Sequence, residues 1–251
     1  MDSPLPRLLV ISLADRADRR ASCRSQLDSI PGLEWRFLDA VDGRGRNSYP
    51  ECYEPRWAER RSGYRLSASE VACFMSHRLA WWTCATEDRP VVVLEDDFLL
   101  QPSFVTSIRR ALAARETWDI LRMQGLIETD AVAVARHDGT TFVKNLADPW
   151  GATAYIAQPA SARRLLAHSR RIIEPVDTFL ERSRQHGQRL LAVLPYPVTV
   201  TGAPSSMTDR PIRYGVHGWK RRRRSCFRLA DQLRNLLVPP AAVEREPPTC
   251  W

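Results

Sequence analysis

The stretch Val91-Val92-Val93-Leu94-Glu95-Asp96-Asp97 decides how this chain is read. An apolar run that ends in clustered carboxylates is a strand delivering negative charge to one edge of a sheet. Such charges either coordinate a divalent cation or repel one another at a cost. Strand alternation puts Glu95 and Asp97 on one face and Asp96 on the other. A solvated acidic turn is the plainer reading of the triplet taken alone.

Outward from it, strands and helices alternate. Leu8 to Leu13 reads as a buried first strand, followed by a helix over Ala17 to Ser29 and a strand at Trp35-Arg36-Phe37-Leu38. Residues 44–65, rich in Arg, Gly, Pro and Tyr without periodicity, are expected to be a mobile surface loop. Ser67-Ala68-Ser69-Glu70 is a capping box that starts a helix running to about Ala85. On that helix Val71, Phe74, Met75, Leu79 and Trp82 share a face, on which Arg78 is an unexplained intruder. Ser69, Cys73, Ser76, His77 and Ala80 lie opposite. After the acidic strand come a helix over Ser103 to Arg115, a strand at Trp118 to Leu121, and a hairpin about His137-Asp138-Gly139. A strand at Thr153 to Ile156 and a helix over Ser161 to His168 follow. Pro175 then opens a helix carrying Asp177 and Glu181, and Leu190 to Leu194 and Val198 to Thr201 close the sheet. The alternation predicts an α/β fold with a mainly parallel sheet, whose ligands sit beyond the carboxyl ends of the strands.

With 251 residues, 44% of them hydrophobic, the chain can bury one large core. Its six cysteines have no metal or disulfide spacing and are expected to be reduced thiols. Met1-Asp2-Ser3-Pro4 has no basic signal region, and Leu8 to Leu13 is too short to span a membrane, so a cytoplasmic protein, peripheral on an inner membrane at most, is expected. The net charge of +8 gathers at Lys220-Arg221-Arg222-Arg223-Arg224 and implies an anionic partner. Behind it Phe227, Leu229, Ala230, Leu233, Leu236 and Leu237 recur at helical spacing. A basic amphipathic tail over residues 220–237 suits an anionic membrane surface, and equally a helix docked on the domain with solvated arginines. No nucleic-acid module is recognisable, so nucleic acid is not an expected partner.

Seven blocks then occur in order. They are Val10-Ile11-Ser12-Leu13 with Asp18-Arg19-Arg20, Arg36-Phe37 with Ala40-Val41-Asp42-Gly43, and Cys73-Phe74-Met75-Ser76-His77 with Ala80-Trp81. Val93 to Asp97, Trp118-Asp119-Ile120-Leu121, Gly151-Ala152-Thr153-Ala154-Tyr155 and Pro175-Val176-Asp177 complete the set. In order and spacing the chain resembles glycosyltransferase family 25, which includes bacterial lipooligosaccharide and collagen galactosyltransferases. The resemblance covers roughly residues 8–210. It implies a single domain over 1–215 with a GT-A-type, Rossmann-like mixed sheet flanked by helices, leaving 216–251 as the basic tail. It also implies a UDP-sugar donor, commonly UDP-galactose, a divalent metal such as Mn2+, inversion at the anomeric carbon, and a glycan or lipid-linked acceptor.

The residue chemistry allows roles to be assigned. Glu95 and Asp97 would hold the metal that stabilises the departing diphosphate. Arg19 and Arg20 could pair with phosphate oxygens through their forked donors, though a solvated helix start also explains Arg20. Asp42 could contact the nucleoside, or simply make an Asp-Gly turn. Asp96 joins this donor-binding group. His77 could reach the diphosphate or structure the site. The resemblance, through its Pro175-Val176-Asp177 block, makes Asp177 the candidate base for the acceptor hydroxyl, with Glu181 one helical turn later the reserve, although helix N-termini attract acidic residues in any case. Two positions depart from the family pattern: Ala152 replaces a threonine, and Gln124 stands where an apolar residue is usual. A metal-dependent phosphohydrolase would want ligands for a second metal, and the five histidines show no paired spacing. The other alternative is a catalytically inactive glycosyltransferase-like binding protein whose basic tail engages an anionic partner.

Overall fold

The computed structural model describes residues 5–183 and 185–202. The basic tail over 216–251 lies outside them. Strand β1 (Arg7–Ser12) is buried from Leu8 onward, and the chain leaves it through helix α1 (Ala17–Leu27) to β2 (Trp35–Asp39). It returns through α2 (Pro55–Ser62) and α3 (Ala68–Glu87) to β3 (Val91–Glu95). Both β2 and β3 pair in parallel with β1, one on each side. Cys23 and Leu27 of α1 pack with Leu8 and Val10 on one face of the sheet. Phe74, Ala80 and Trp81 of α3 pack with Leu9 and Ile11 on the other. The chain therefore reverses its winding between β1 and β3, which makes a crevice at the carboxyl ends of these strands.

The remaining elements are β4 (Phe98–Leu100), α4 (Phe104–Ala113), β5 (Ile120–Arg122), β6 (Ala131–His137), β7 (Thr140–Asn145), β8 (Ala154–Ala157), α5 (Pro159–His168), α6 (Val176–Glu181), β9 (Leu190–Leu194) and β10 (Val198–Val200). The large sheet runs β2-β1-β3-β8-β5-β9-β7-β6. The expected α/β sheet flanked by helices is present, and it is the mixed sheet that the resemblance implies rather than the mainly parallel one that the alternation predicts. The cause is β8, which inserts antiparallel between β3 and β5, together with the antiparallel β6–β7 hairpin on β9. That hairpin turns on Asp138 and Gly139, both at positive φ, as the Asp-Gly signal predicts. The segment near Val198 does not close the large sheet; β10 pairs instead with β4.

Two further expectations are corrected. The 44–65 segment contains α2, which starts at Pro55 and ends on Gly63 at φ 85°. Cys52 and Tyr53 beside it are buried, and Tyr53 bridges to Ile172. The proline start and glycine stop were present, but the Arg-rich helix between them lacks an apolar stripe long enough to register as periodic. On α3 the capping box forms as expected, yet Trp82 is exposed and Trp81 is wholly buried. The helix is buried nearly all round because α5 and α6 cover its outer side. Arg78 is thereby explained. It donates to the carbonyl of Ser169, the residue that caps the C-terminal end of α5, where a cation is favoured.

One contact locks the start of α3 to the turn after β2. A Cβ on Gly43 would stand 2.4 Å from the carbonyl oxygen of Ala68. By contrast, a Cβ on Gly45 would meet nothing within 4 Å, although that residue sits at φ +65°. Gly43→Ala should therefore cost about 2–3 kcal/mol by overpacking, and Gly45→Ala about 1 kcal/mol from backbone strain alone. Urea denaturation of the two variants checks this; equal losses would mean the turn is free to move away from the helix.

Candidate functional site

The carboxyl ends of β1, β2 and β3 frame a cleft of about 110 Å³ whose lining includes Ser12, Arg19, Asp42, Cys73, Glu95, Asp96 and Asp97. Strand β3 ends at Glu95, and Asp96 and Asp97 form a turn into β4. Simple strand alternation therefore does not govern the triplet, and all three carboxylates line the cleft. Their surroundings differ.

Asp96 is satisfied. Ser12 Oγ donates to its Oδ2 at 2.8 Å and Arg19 Nη1 to its Oδ1 at 2.6 Å, an ion pair whose side chains are only about a tenth exposed. Glu95 is supported from behind. His77 Nε2 lies 3.0 Å from Oε1, and the Thr153 hydroxyl donates to Oε2 at 3.4 Å. The tautomer of His77 follows from its partners. Trp81 Nε1–H donates to the Tyr155 hydroxyl at 2.8 Å, and that hydroxyl lies 2.9 Å from His77 Nδ1. A carboxylate only accepts, so Nε2–H donates to Glu95, and neutral His77 then has Nδ1 free to accept from the Tyr155 hydroxyl, which itself accepts from the indole. His77 is wholly buried, so its contact is with Glu95 and not with anything occupying the cleft.

Asp97 is the exception. Its Oδ1 is buried without a hydrogen-bond partner. Burial, and then the neighbouring charge of Glu95, push its carboxyl from 3.8 up to about 6. A buried carboxylate oxygen next to a second carboxylate is an arrangement a divalent cation would relieve. Cys73 Sγ also approaches Glu95, at 3.8 Å, and Cys73, His77 and Glu95 offer donor atoms within 4.8 Å of one another. Both nitrogens of His77 are already engaged, so Glu95 and Asp97 are the pair whose oxygens fit a hard cation best.

The other sequence candidates divide between two places. Asp42 lines the same cleft but is paired with Arg44 at 2.7 Å, which lowers its carboxyl to about 2. Arg20 is turned away. It donates to the Ser12 carbonyl at 2.9 Å, pairs with Asp39, and lies over the Phe37 ring at 4.6 Å. Asp177 and Glu181 belong to a different region. Glu181 lines a second cavity of about 350 Å³, where it pairs with the buried Arg122. Asp177 sits on the first turn of α6, and its Oδ1 accepts from the Thr178 N–H at 2.7 Å.

Several contributors escaped sequence reading. Ser12 stands at the end of β1, where the rule about strand ends could have found it. Thr153 lies within a recognised block and supplies a hydroxyl to Glu95 although Ala152 has none. The departure at Gln124 has a local cause. The side chain is buried, and with its amide oxygen facing the backbone it accepts from the N–H groups of Gly125 and Leu126 at 3.3 and 3.0 Å. Asp148, in the second cavity, left no sequence signal beyond an Asp-Pro turn.

The raised carboxyl of Asp97 has a thermodynamic sign. Between about pH 4 and 6 the folded chain keeps a proton that the unfolded chain releases, so stability falls as pH rises through that window. The deficit is complete above about pH 6. Without added metal, Asp97→Asn should be more stable than wild type by about 1–3 kcal/mol at pH 8 and indistinguishable from it near pH 4. Denaturant titrations at the two pH values test this; a gap of the same size at both would remove Asp97 ionisation as the cause.

The chain matches the model of glycosyltransferase family 25 (LPS biosynthesis protein) over residues 6–180. It is 33% identical over 188 residues to the probable inactive glycosyltransferase 25 family member 3 of Bos taurus, covering 69% of this chain and 31% of that protein. It is 31% identical over 160 residues to the lacto-N-neotetraose biosynthesis glycosyltransferase LgtB of Neisseria meningitidis, covering 59% of this chain and 55% of that protein. To LgtB of Neisseria gonorrhoeae it is 33% identical over 151 residues, 58% of this chain and 48% of that protein. The chain thus spans about a third of the cattle relative and about half of the bacterial ones. With its mixed sheet and its carboxylates at the β1–β3 crevice, the chain belongs to glycosyltransferase family 25.

Proposed function

We propose that this chain is a metal-dependent inverting glycosyltransferase that moves a hexose, galactose first among the candidates, from a UDP-sugar to a cell-surface glycan or lipooligosaccharide acceptor. The observation that carries this reading is Asp97, a buried carboxylate oxygen without a partner beside Glu95 in the β1–β3 crevice. A divalent cation such as Mn2+ on Glu95 and Asp97 would neutralise charge developing on the leaving diphosphate. His77 holds Glu95 in place, Asp96 holds the turn, and Arg19 presents its guanidinium at the cleft wall. Asp42 lies where a nucleoside could meet it.

The acceptor oxygen attacks the anomeric carbon as the bond to the diphosphate breaks, and its proton passes to a carboxylate. Asp177 is the candidate, because Glu181 is already engaged by Arg122. Among the described residues no helix is long and apolar enough to cross a membrane. A cytoplasmic chain drawn to an anionic membrane surface through residues 220–237 would meet a lipid-linked acceptor there. The second reading, a donor-site fold without turnover, is favoured by one observation: the cattle relative is described as probably inactive.

Calorimetry of UDP with and without Mn2+, on wild type and Asp97→Ala, separates the two. The transferase reading expects binding that requires the cation and weakens at least 100-fold in the variant. Binding that ignores both cation and substitution would leave a nucleotide pocket without metal chemistry. Absence of binding throughout would favour the inactive reading.

A further inference from the structure

The second cavity does not belong to the donor cleft. It lies on the face of the sheet covered by α6, under the loop after β7, and its residues are not among those lining the cleft. At about 350 Å³ it falls in the range of about 300–1,000 Å³ usual for small-molecule sites. The loop above it is held in a costly conformation. Trp150 has φ +60°, in the left-handed region that aromatic residues avoid. Three hydrogen bonds fix it there. Its N–H donates to Asp148 Oδ1 at 2.8 Å, Arg122 Nη1 donates to its carbonyl at 3.3 Å, and the Pro149 carbonyl accepts from the Leu126 N–H at 2.8 Å. Trp150 is 42% exposed. Strain held in place by surrounding contacts, at the rim of a cavity, marks a built site.

The charges within suggest the class of ligand. Arg122 is consumed by Glu181 and by the carbonyls of Trp150 and Gly151, and Arg182 is paired with the buried Glu174. Asp148 is in a desolvated place: burial, then the charges of Glu181 and Asp177, raise its carboxyl to about 6. Arg122 and Arg182 each stand in an ion pair, although Arg122 Nε is buried without a partner, and the exposed Lys144 is the remaining cation of the lining. The cavity thus offers hydrogen-bonding groups and an aromatic face rather than the cluster of cations that a phosphate would need. An aromatic ring beside an Asp carboxylate and the amide of Asn145 suits a neutral, hydroxyl-rich ring.

The cavity is also tied to the metal strand. Gly151, whose carbonyl Arg122 holds at 2.5 Å, is two residues before Thr153, which contacts Glu95 through its hydroxyl and accepts the Glu95 N–H through its carbonyl. We propose that the cavity lined by Asn145, Asp148, Trp150 and Glu181 is a saccharide subsite that receives the acceptor, with Trp150 as its stacking face and Asp148 as a hydroxyl acceptor. The word acceptor rests on the transferase reading above; saccharide binding at this cavity does not.

Saturation-transfer NMR with methyl β-glucoside, methyl β-galactoside and methyl β-N-acetylglucosaminide, without donor or metal, tests the proposal. Trp150→Gly removes the ring while suiting the left-handed backbone, and Asp148→Asn keeps the size of the side chain. Transfer to at least one glycoside in the wild type is expected, falling at least fivefold in both variants while melting temperature and UDP binding hold. No transfer to any of the three, or transfer that persists in both variants, overturns the subsite. Saccharide binding lost in the variants but no UDP binding in any protein would remove the transferase reading and leave this one standing.

Discussion

A nearly buried ion pair between Arg19 and Asp96 sets the geometry on which the cleft depends. Desolvation offsets most of the attraction in such a pair, so its main effect is on shape. With Ser12 on its other oxygen, Asp96 ties the turn after β3 to the end of β1 and to α1. The turn's backbone is gripped as well: Cys23 Sγ approaches the Asp96 carbonyl, and the Thr201 N–H donates to that of Asp97 at 2.9 Å. Strand β3 must therefore stop at Glu95, and Asp97 is carried into the crevice instead of continuing a strand. Within the acidic triplet Asp96 is tied down by Ser12 and Arg19, Glu95 is held by His77 and Thr153, and Asp97 keeps one buried oxygen without a hydrogen-bond partner.

How much of this was legible follows from the range of each signal. The apolar runs at Leu8 and Val91, the capping box at Ser67 and the Asp-Gly hairpin are local, and each appears where the sequence puts it. Their order also carried the alternation that predicts a flanked α/β sheet. Strand direction is not local. Nothing within Ala154–Ala157 says that it will lie antiparallel between β3 and β5, so the alternation predicts a more parallel sheet than the one that forms. The misplacement of Trp82 has the same origin. A single apolar face was assumed for α3, whereas α5 and α6 bury its other side and draw in Trp81 through the stripe shared by Cys73 and His77.

The site was legible in part for the same reason. Glu95, Asp96 and Asp97 are adjacent in sequence and could hardly be missed, but their unlike environments depend on Ser12, Arg19, His77 and Thr153, which arrive from four other segments. Asp148 is the limiting case. It sits in a loop without periodicity, and only the fold reveals that burial and two neighbouring carboxylates act on it. Arg20 shows the converse. A charged residue in a suggestive motif is taken up by Asp39 and the Phe37 ring once β2 is in place.

The cost of these arrangements bears on whether the chain works as an enzyme. A folded chain gains nothing from Asp97 as a carboxylate: burial and Glu95 both oppose its charge, and an amide of the same shape would avoid the penalty. Trp150 at positive φ is likewise a conformation that glycine would adopt without strain. Two separate places, joined by the segment from Trp150 to Thr153, thus hold side chains that stability alone does not call for. A ligand that binds only the folded state would return that stability by mass action, as the proposed cation would at one place and the proposed saccharide at the other. A scaffold retained only for its shape, or for a basic tail, has no such use for either residue, and that asymmetry is the physical ground for reading the crevice as a working site.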